Sequence, residues 1–175
     1  MAVREAIPQQ EEAQQGVSSF AKSLFLGEIH EELVFPWPAT AADEQDKVRD
    51  LNKRIREYCA ENYDARKAEE QRWIPDEVLR DLGEIGALGL YVDEQYGGQG
   101  LSQTGYARVF ETVGQIDATL AIVLGVHQSI GFKGIHMFGS DEQKERFLPD
   151  LAAGRKLAGF ALTEPGWRGL ARTRS

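Results

Sequence analysis

The residues best placed to do chemistry lie at the end of an apolar run, in FALTEPG, Phe160 to Gly166. A strand ending in Thr-Glu-Pro-Gly presents backbone N–H groups and one hydroxyl at a chain reversal. Such an edge can hydrogen-bond the polar rim of a flat cofactor; on physical grounds it can equally be an ordinary turn. YGGQG, Tyr96 to Gly100, has the look of a phosphate loop, but no strand-to-helix fingerprint surrounds it and a plain turn is the simpler reading. His30, His127 and His136 are too far apart for metal-ligand spacing. His127 sits mid-helix in LGVHQSIG and reads as a hydrogen-bonded core histidine rather than a catalyst. Glu111 and Asp117 are read as surface or capping groups, and Trp37 and Trp73 as core or boundary aromatics. Neither a P-loop nor a nucleophile elbow is present.

The elements that must position these residues are helical. Ser18 and Ser19 offer caps to a short helix carrying Phe20, Leu24 and Phe25 toward a core. The two prolines of VFPWP force extended geometry from Val34 to Pro38. From about Thr40 to Arg66, Val48, Leu51, Ile55, Tyr58 and Cys59 recur at helical spacing. A further helix starts at Pro75 and turns Val78, Leu79, Leu82 and Ile85 inward, with Gly83, Gly86 and Gly89 permitting close approach and termination. DEQYGGQG is a loop by composition. Ser102 and Asp117 cap two more helices; the second, from Ala118, is apolar nearly all round and is expected at the centre of a bundle. Ser140 and Gln143 form a capping-box pair. The fold class is therefore all-α, a helical bundle, and KLAGFALT, Lys156 to Thr163, is expected to be the first strand of an incomplete β-domain. The expected organisation is a mobile tail over 1–16, a helical domain over 17–154, the start of a β-domain over 155–166 and an aberrant tail over 167–175.

Composition narrows the function. The 175 residues carry 28 acids against 20 bases, net −8, and such a surface gives nucleic acid little to bind. Cys59 is the only cysteine, which excludes an internal disulfide and fits a reducing compartment. The amino terminus has no leader-like pattern, and the apolar stretch from Ala118 to Phe132 is expected to fall short of a membrane span. The expected location is cytoplasmic.

Leu124 to Gly166, with HQSIGFKGI, FLPDLAAG and F-x-L-T-E-P, resembles the acyl-CoA dehydrogenases of the very-long-chain type. EIGALGLYVDEQYGGQGL, SFAKSLFLGEI and VFPWP extend that resemblance over Ser18 to Gly166. It implies a helical amino-terminal domain leading into a β-domain whose first strand meets the ring of FAD through backbone at Phe160 and Leu162 and through the Thr163 hydroxyl and amide. It implies α,β-dehydrogenation of a long-chain fatty acyl-CoA in β-oxidation, electron-transfer flavoprotein as acceptor, and a homo-oligomer at full length. The bundle from roughly Gly89 to Gly131 then forms one wall of the acyl cavity. The family's glutamate base lies far downstream, so no catalytic residue is expected in this chain, and Glu164 is not that base. The likeness breaks after Thr-Glu-Pro-Gly. The family continues there with a small-residue run ending Gly-Ser-Asp, whereas GWRGLARTRS holds three of the 20 bases and none of the acids. A frameshift or truncation is expected, leaving a chain that binds FAD weakly or not at all and does not turn over. An oxygen-using oxidase of the same fold and a non-catalytic helical partner-binding fragment stay open as alternatives.

Overall fold

Capping side chains mark five of the helix starts among the described residues. A computed structural model describes residues 19–161, and the chain divides into two units, Met1–Ala39 and Thr40–Ser175. In the first, helix α1 spans Phe20–Phe25, with the Ser19 hydroxyl accepting from Lys22 N–H at 3.4 Å. Gly27, at φ +80°, turns the chain after it, and a 3₁₀ turn follows at Glu31–Leu33. Leu24 and Phe25 do not reach a core: Phe25 is 93% exposed. VFPWP is non-helical, as its prolines require, and the Phe35 and Trp37 rings meet edge to face at 5.4 Å.

In the second unit the sequence predicts one helix over about 40–66; two are found, α2 at Gln45–Asn62 and α3 at Ala65–Gln71. Tyr63 is extended, and the Asp64 carboxylate accepts from Lys67 N–H at 3.0 Å, starting α3 afresh. The remaining helices are α4, Asp76–Ile85; α5, Gln103–Ile116; α6, Ala118–Val126; α7, Lys133–Phe138; and α8, Asp141–Ala152. Ser102 accepts from Gly105 N–H, Asp117 accepts from Leu120 N–H, and Ser140 and Gln143 close the full capping box. The main core joins Val48, Leu51, Ile55 and Cys59 of α2 to Val78, Leu79 and Leu82 of α4 and to Val109 and Val113 of α5. Burial pushes the Cys59 thiol up to about 11, so it is a packing residue rather than a nucleophile. A second cluster gathers Val92, Phe132, Leu148, Leu151 and Ala152.

Four further expectations change. Helix α6 buries Leu120, Ala121 and Leu124 on one face only, and Ile122 is 62% exposed, so the helix is not central among the described residues. The helical run Ala118–Phe138 is 21 residues long with mean hydropathy 1.3, enough by length and composition to cross a membrane, contrary to the sequence expectation. It nevertheless turns His127 and Gln128 inward onto partners from other elements, as a bundle helix does. Residues 157–161 form no strand, and no strand occurs among the described residues; a strand needs a neighbouring extended backbone to pair with. Trp37 and Trp73, read as core or boundary aromatics, are largely exposed, at 67% and 63%.

Candidate functional site

The site is built where α6 runs out and the chain returns after α8. Helix α6 passes directly into a π-helical turn, His127–Gly131. Such wide turns are uncommon and often mark places where a helix must aim side chains unusually. Here two adjacent polar residues, His127 and Gln128, are both fully buried. A buried polar group has to find partners, and both do. Gln128 Oε1 accepts from Leu90 N–H at 2.8 Å, and its Nε2 donates to Ala87 O at 3.0 Å and Leu124 O at 3.3 Å. The Tyr91 hydroxyl donates to the Gln128 carbonyl. Gln128 thus fastens the Ala87–Leu90 backbone to α6.

His127 works the opposite side. Ala158 N–H donates to Nδ1 at 2.9 Å, which leaves Nε2 to carry the proton and donate to Leu151 O at 3.0 Å. The ring edge packs on Phe132 with centroids 4.8 Å apart. Burial holds the imidazole below its ordinary pKa, so it is neutral in the fold. Unfolded, the ring takes a proton near 6.5. The unfolded chain then binds more protons below that value, and stability is full above it and lost as the pH falls through the window beneath it. The loss for one such group is at most about 1.4 kcal/mol per pH unit. Urea midpoints measured from pH 7.5 down to 5 are expected to fall more steeply for the native chain than for His127→Asn; parallel slopes would remove His127 as the cause.

Among the sequence-predicted cofactor residues, Phe160 lies two positions after Ala158 and is 60% exposed. Gly159, Phe160 and Ala161 make no hydrogen bond to any other described residue. Leu162 and Thr163 lie outside the described residues. YGGQG does not bind phosphate with its backbone: the N–H groups of Gln99, Gly100 and Leu101 donate to Gly89, Val92 and Leu90 carbonyls at 2.9, 2.8 and 2.8 Å. Glu111 pairs with Arg108 on the surface and Asp117 caps α6, as read from the sequence. His136 lies 3.7 Å from an Asp93 oxygen, and no group of metal-ligating side chains comes together among the described residues.

An apolar cavity of about 480 Å³ opens beside α6, lined by Trp73, Ile74, Leu79, Val123 and Leu157, with Tyr63 and Asp117 among its polar groups. Its volume suits a small ligand or a hydrocarbon segment. Sequence reasoning found His127 as a core residue but missed Gln128. The available signal was three consecutive polar residues, His127, Gln128 and Ser129, inside an apolar run.

Residues 43–155 match the family described as acyl-CoA dehydrogenase, N-terminal domain. The chain is 43% identical over 148 residues to the very long-chain specific acyl-CoA dehydrogenase, mitochondrial, of Macaca fascicularis, an alignment spanning 84% of this chain and 23% of that protein. It resembles the solved acyl-CoA dehydrogenase from Bacillus anthracis complexed with FAD at TM-score 0.63 and 34% identity, covering 83% of this chain and 25% of the other. A structure described as the electron transferring flavoprotein of Acidaminococcus fermentans aligns at TM-score 0.61 and 29% identity, covering 74% and 34%. The chain spans about a quarter of the length of the curated relatives it matches. By the match over 43–155, this chain belongs to the acyl-CoA dehydrogenase family, as its amino-terminal helical domain.

Proposed function

We propose that this chain is the amino-terminal part of an FAD-dependent enzyme that removes hydrogen from the α and β carbons of a long-chain fatty acyl-CoA. The observation that carries the reading is the match of residues 43–155 to the acyl-CoA dehydrogenase amino-terminal domain, followed in the sequence by the Thr-Glu-Pro-Gly segment. FAD, when bound, supplies hydride-accepting chemistry that no side chain has. The chain's own contribution is to orient that ring through backbone at Phe160 and Leu162 and through Thr163, while the bundle walls off the acyl chain. Stretches from Gly89 to Gly131 then bear on acyl length, and Val123 of that stretch lines the apolar cavity. Removal of the α-proton needs a base within hydrogen-bond reach of the α-carbon, on the side of the substrate away from the flavin. No residue of this chain is assigned that role.

Electron-transfer flavoprotein as acceptor, a homo-oligomer at full length, and a reducing, cytoplasmic location belong to the same proposal. The single buried cysteine supports the reducing compartment. A β-domain beginning near residue 155 and a helical domain over 17–154 complete it.

The test is to extend the chain along its own gene past residue 175, purify it, and add long-chain acyl-CoA with an artificial electron acceptor. A yellow protein that reduces the dye is expected; a colourless, inert extended chain overturns the assignment. The 175-residue chain by itself, given excess FAD, is expected to show no turnover, and dye reduction by it would overturn that part of the reading.

A further inference from the structure

Residues 157–161 carry no helix or strand to hold them, yet Ala158 is fixed from three directions. Its N–H donates to His127 Nδ1 at 2.9 Å. It packs against the cluster of Phe132, Leu148 and Leu151. Gly131, the last residue of the π turn, leaves it space: a Cβ there would sit 2.8 Å from Ala158 O and 3.0 Å from its Cβ. His127 is itself immobilised, 1% exposed, tied to the end of α8 through Leu151 O and wedged on Phe132. Because Nε2 gives its proton to Leu151, Nδ1 is left as a lone-pair acceptor aimed at one backbone N–H.

We infer that His127 is a positioning residue: through its bond to Ala158 it sets where the backbone carrying Phe160 leaves the bundle. Two residues of chain reach at most about 7 Å, so fixing Ala158 confines Phe160 to a small region. The inference rests on the reading of Phe160 as part of the flavin edge.

The test uses the 175-residue chain with two substitutions that split the two bonds. His127→Asn places an amide oxygen near the Nδ1 position, so it can accept from Ala158 but does not reach Leu151. His127→Gln reaches Leu151 and leaves Ala158 without its acceptor. Both are expected to lower Tm by similar amounts. Amide hydrogen exchange at Ala158, referenced to Leu151 in the same sample, is expected to be about tenfold faster in His127→Gln than in His127→Asn, the scale of one hydrogen bond. Trypsin cleavage after Lys156 is expected to quicken in the same order. Equal exchange in the two variants, following Tm alone, overturns the inference. Should neither variant fold, nitrogen NMR of the native chain decides: a bare Nδ1 with scalar coupling to the Ala158 amide supports it, and a protonated Nδ1 overturns it. A colourless extended chain would defeat the flavin reading without changing these exchange rates, so the two failures are distinguishable.

Discussion

Gln128→Leu is expected to lower the unfolding free energy by about 3–5 kcal/mol, because it orphans buried backbone groups without changing the size of the residue much. The Gln128 side chain is 0% exposed and serves Leu90 N–H and Ala87 O, both in residues at most 1% exposed. Leucine fills much of the same space and satisfies neither. An unpaired buried donor or acceptor costs about 1–3 kcal/mol, and here one of each is left. Gln128→Glu is a sharper comparison: it keeps an acceptor for Leu90, loses the donor to Ala87 and adds a buried charge, so it is expected to be at least as damaging. Urea unfolding checks both. The midpoint should fall with the slope unchanged. A loss under about 1 kcal/mol for the leucine variant would mean that water or another side chain takes over the two backbone groups.

Much of this fold is legible because its signals are local. Ser19, Ser102, Asp117 and Ser140 each cap the helix that begins at the next residue, and the hydrogen bond that does it spans three positions of sequence. What the sequence hides is whatever depends on distant partners. The break at Tyr63–Asp64 is invisible to periodicity, since helical spacing runs through it, and only the Asp64 cap betrays it. Helix α6 is apolar all round, so its pattern cannot say which side lacks a neighbour; the structure leaves Ile122 outward. His127 finds its partner 24 residues on at Leu151, and Gln128 finds one 41 residues back at Ala87, distances that no local motif encodes. The described part of the expected strand, 156–161, is not paired for a related reason: its pattern describes a segment, while a strand is a property of a pair. A cofactor site at Phe160, Leu162 and Thr163 is what the resemblance implies, whereas His127, which accepts from Ala158, was legible only as a residue needing hydrogen bonds.

Gly83→Ala is expected to destabilise the chain by about 2 kcal/mol, against the usual sign for glycine in a helix. In a helix interior, alanine is favoured over glycine by about 1 kcal/mol, because glycine gains more freedom on unfolding. Gly83 lies in the last turn of α4, but an added Cβ would meet the Ala153 carbonyl, lying 2.9 Å from its carbon and 3.1 Å from Gly154 Cα. Those are backbone atoms of the turn that ends α8, where Gly154 sits at φ +70°, and they cannot rotate away as a side chain can. Overpacking against backbone costs about 1–3 kcal/mol and forces α4 and the α8 terminus apart, so it outweighs the propensity gain. Gly114 supplies the opposite case within the same bundle: it lies inside α5 with nothing within 4 Å of an added Cβ. Gly114→Ala is therefore expected to stabilise by about 0.5–1 kcal/mol. Measuring both by urea unfolding isolates the contact from the propensity, since only the contact differs in sign between them. If Gly83→Ala were as stabilising as Gly114→Ala, α4 and the end of α8 would not meet as closely as the structure places them, and the return of the chain toward Ala158 and His127 would lose part of its footing.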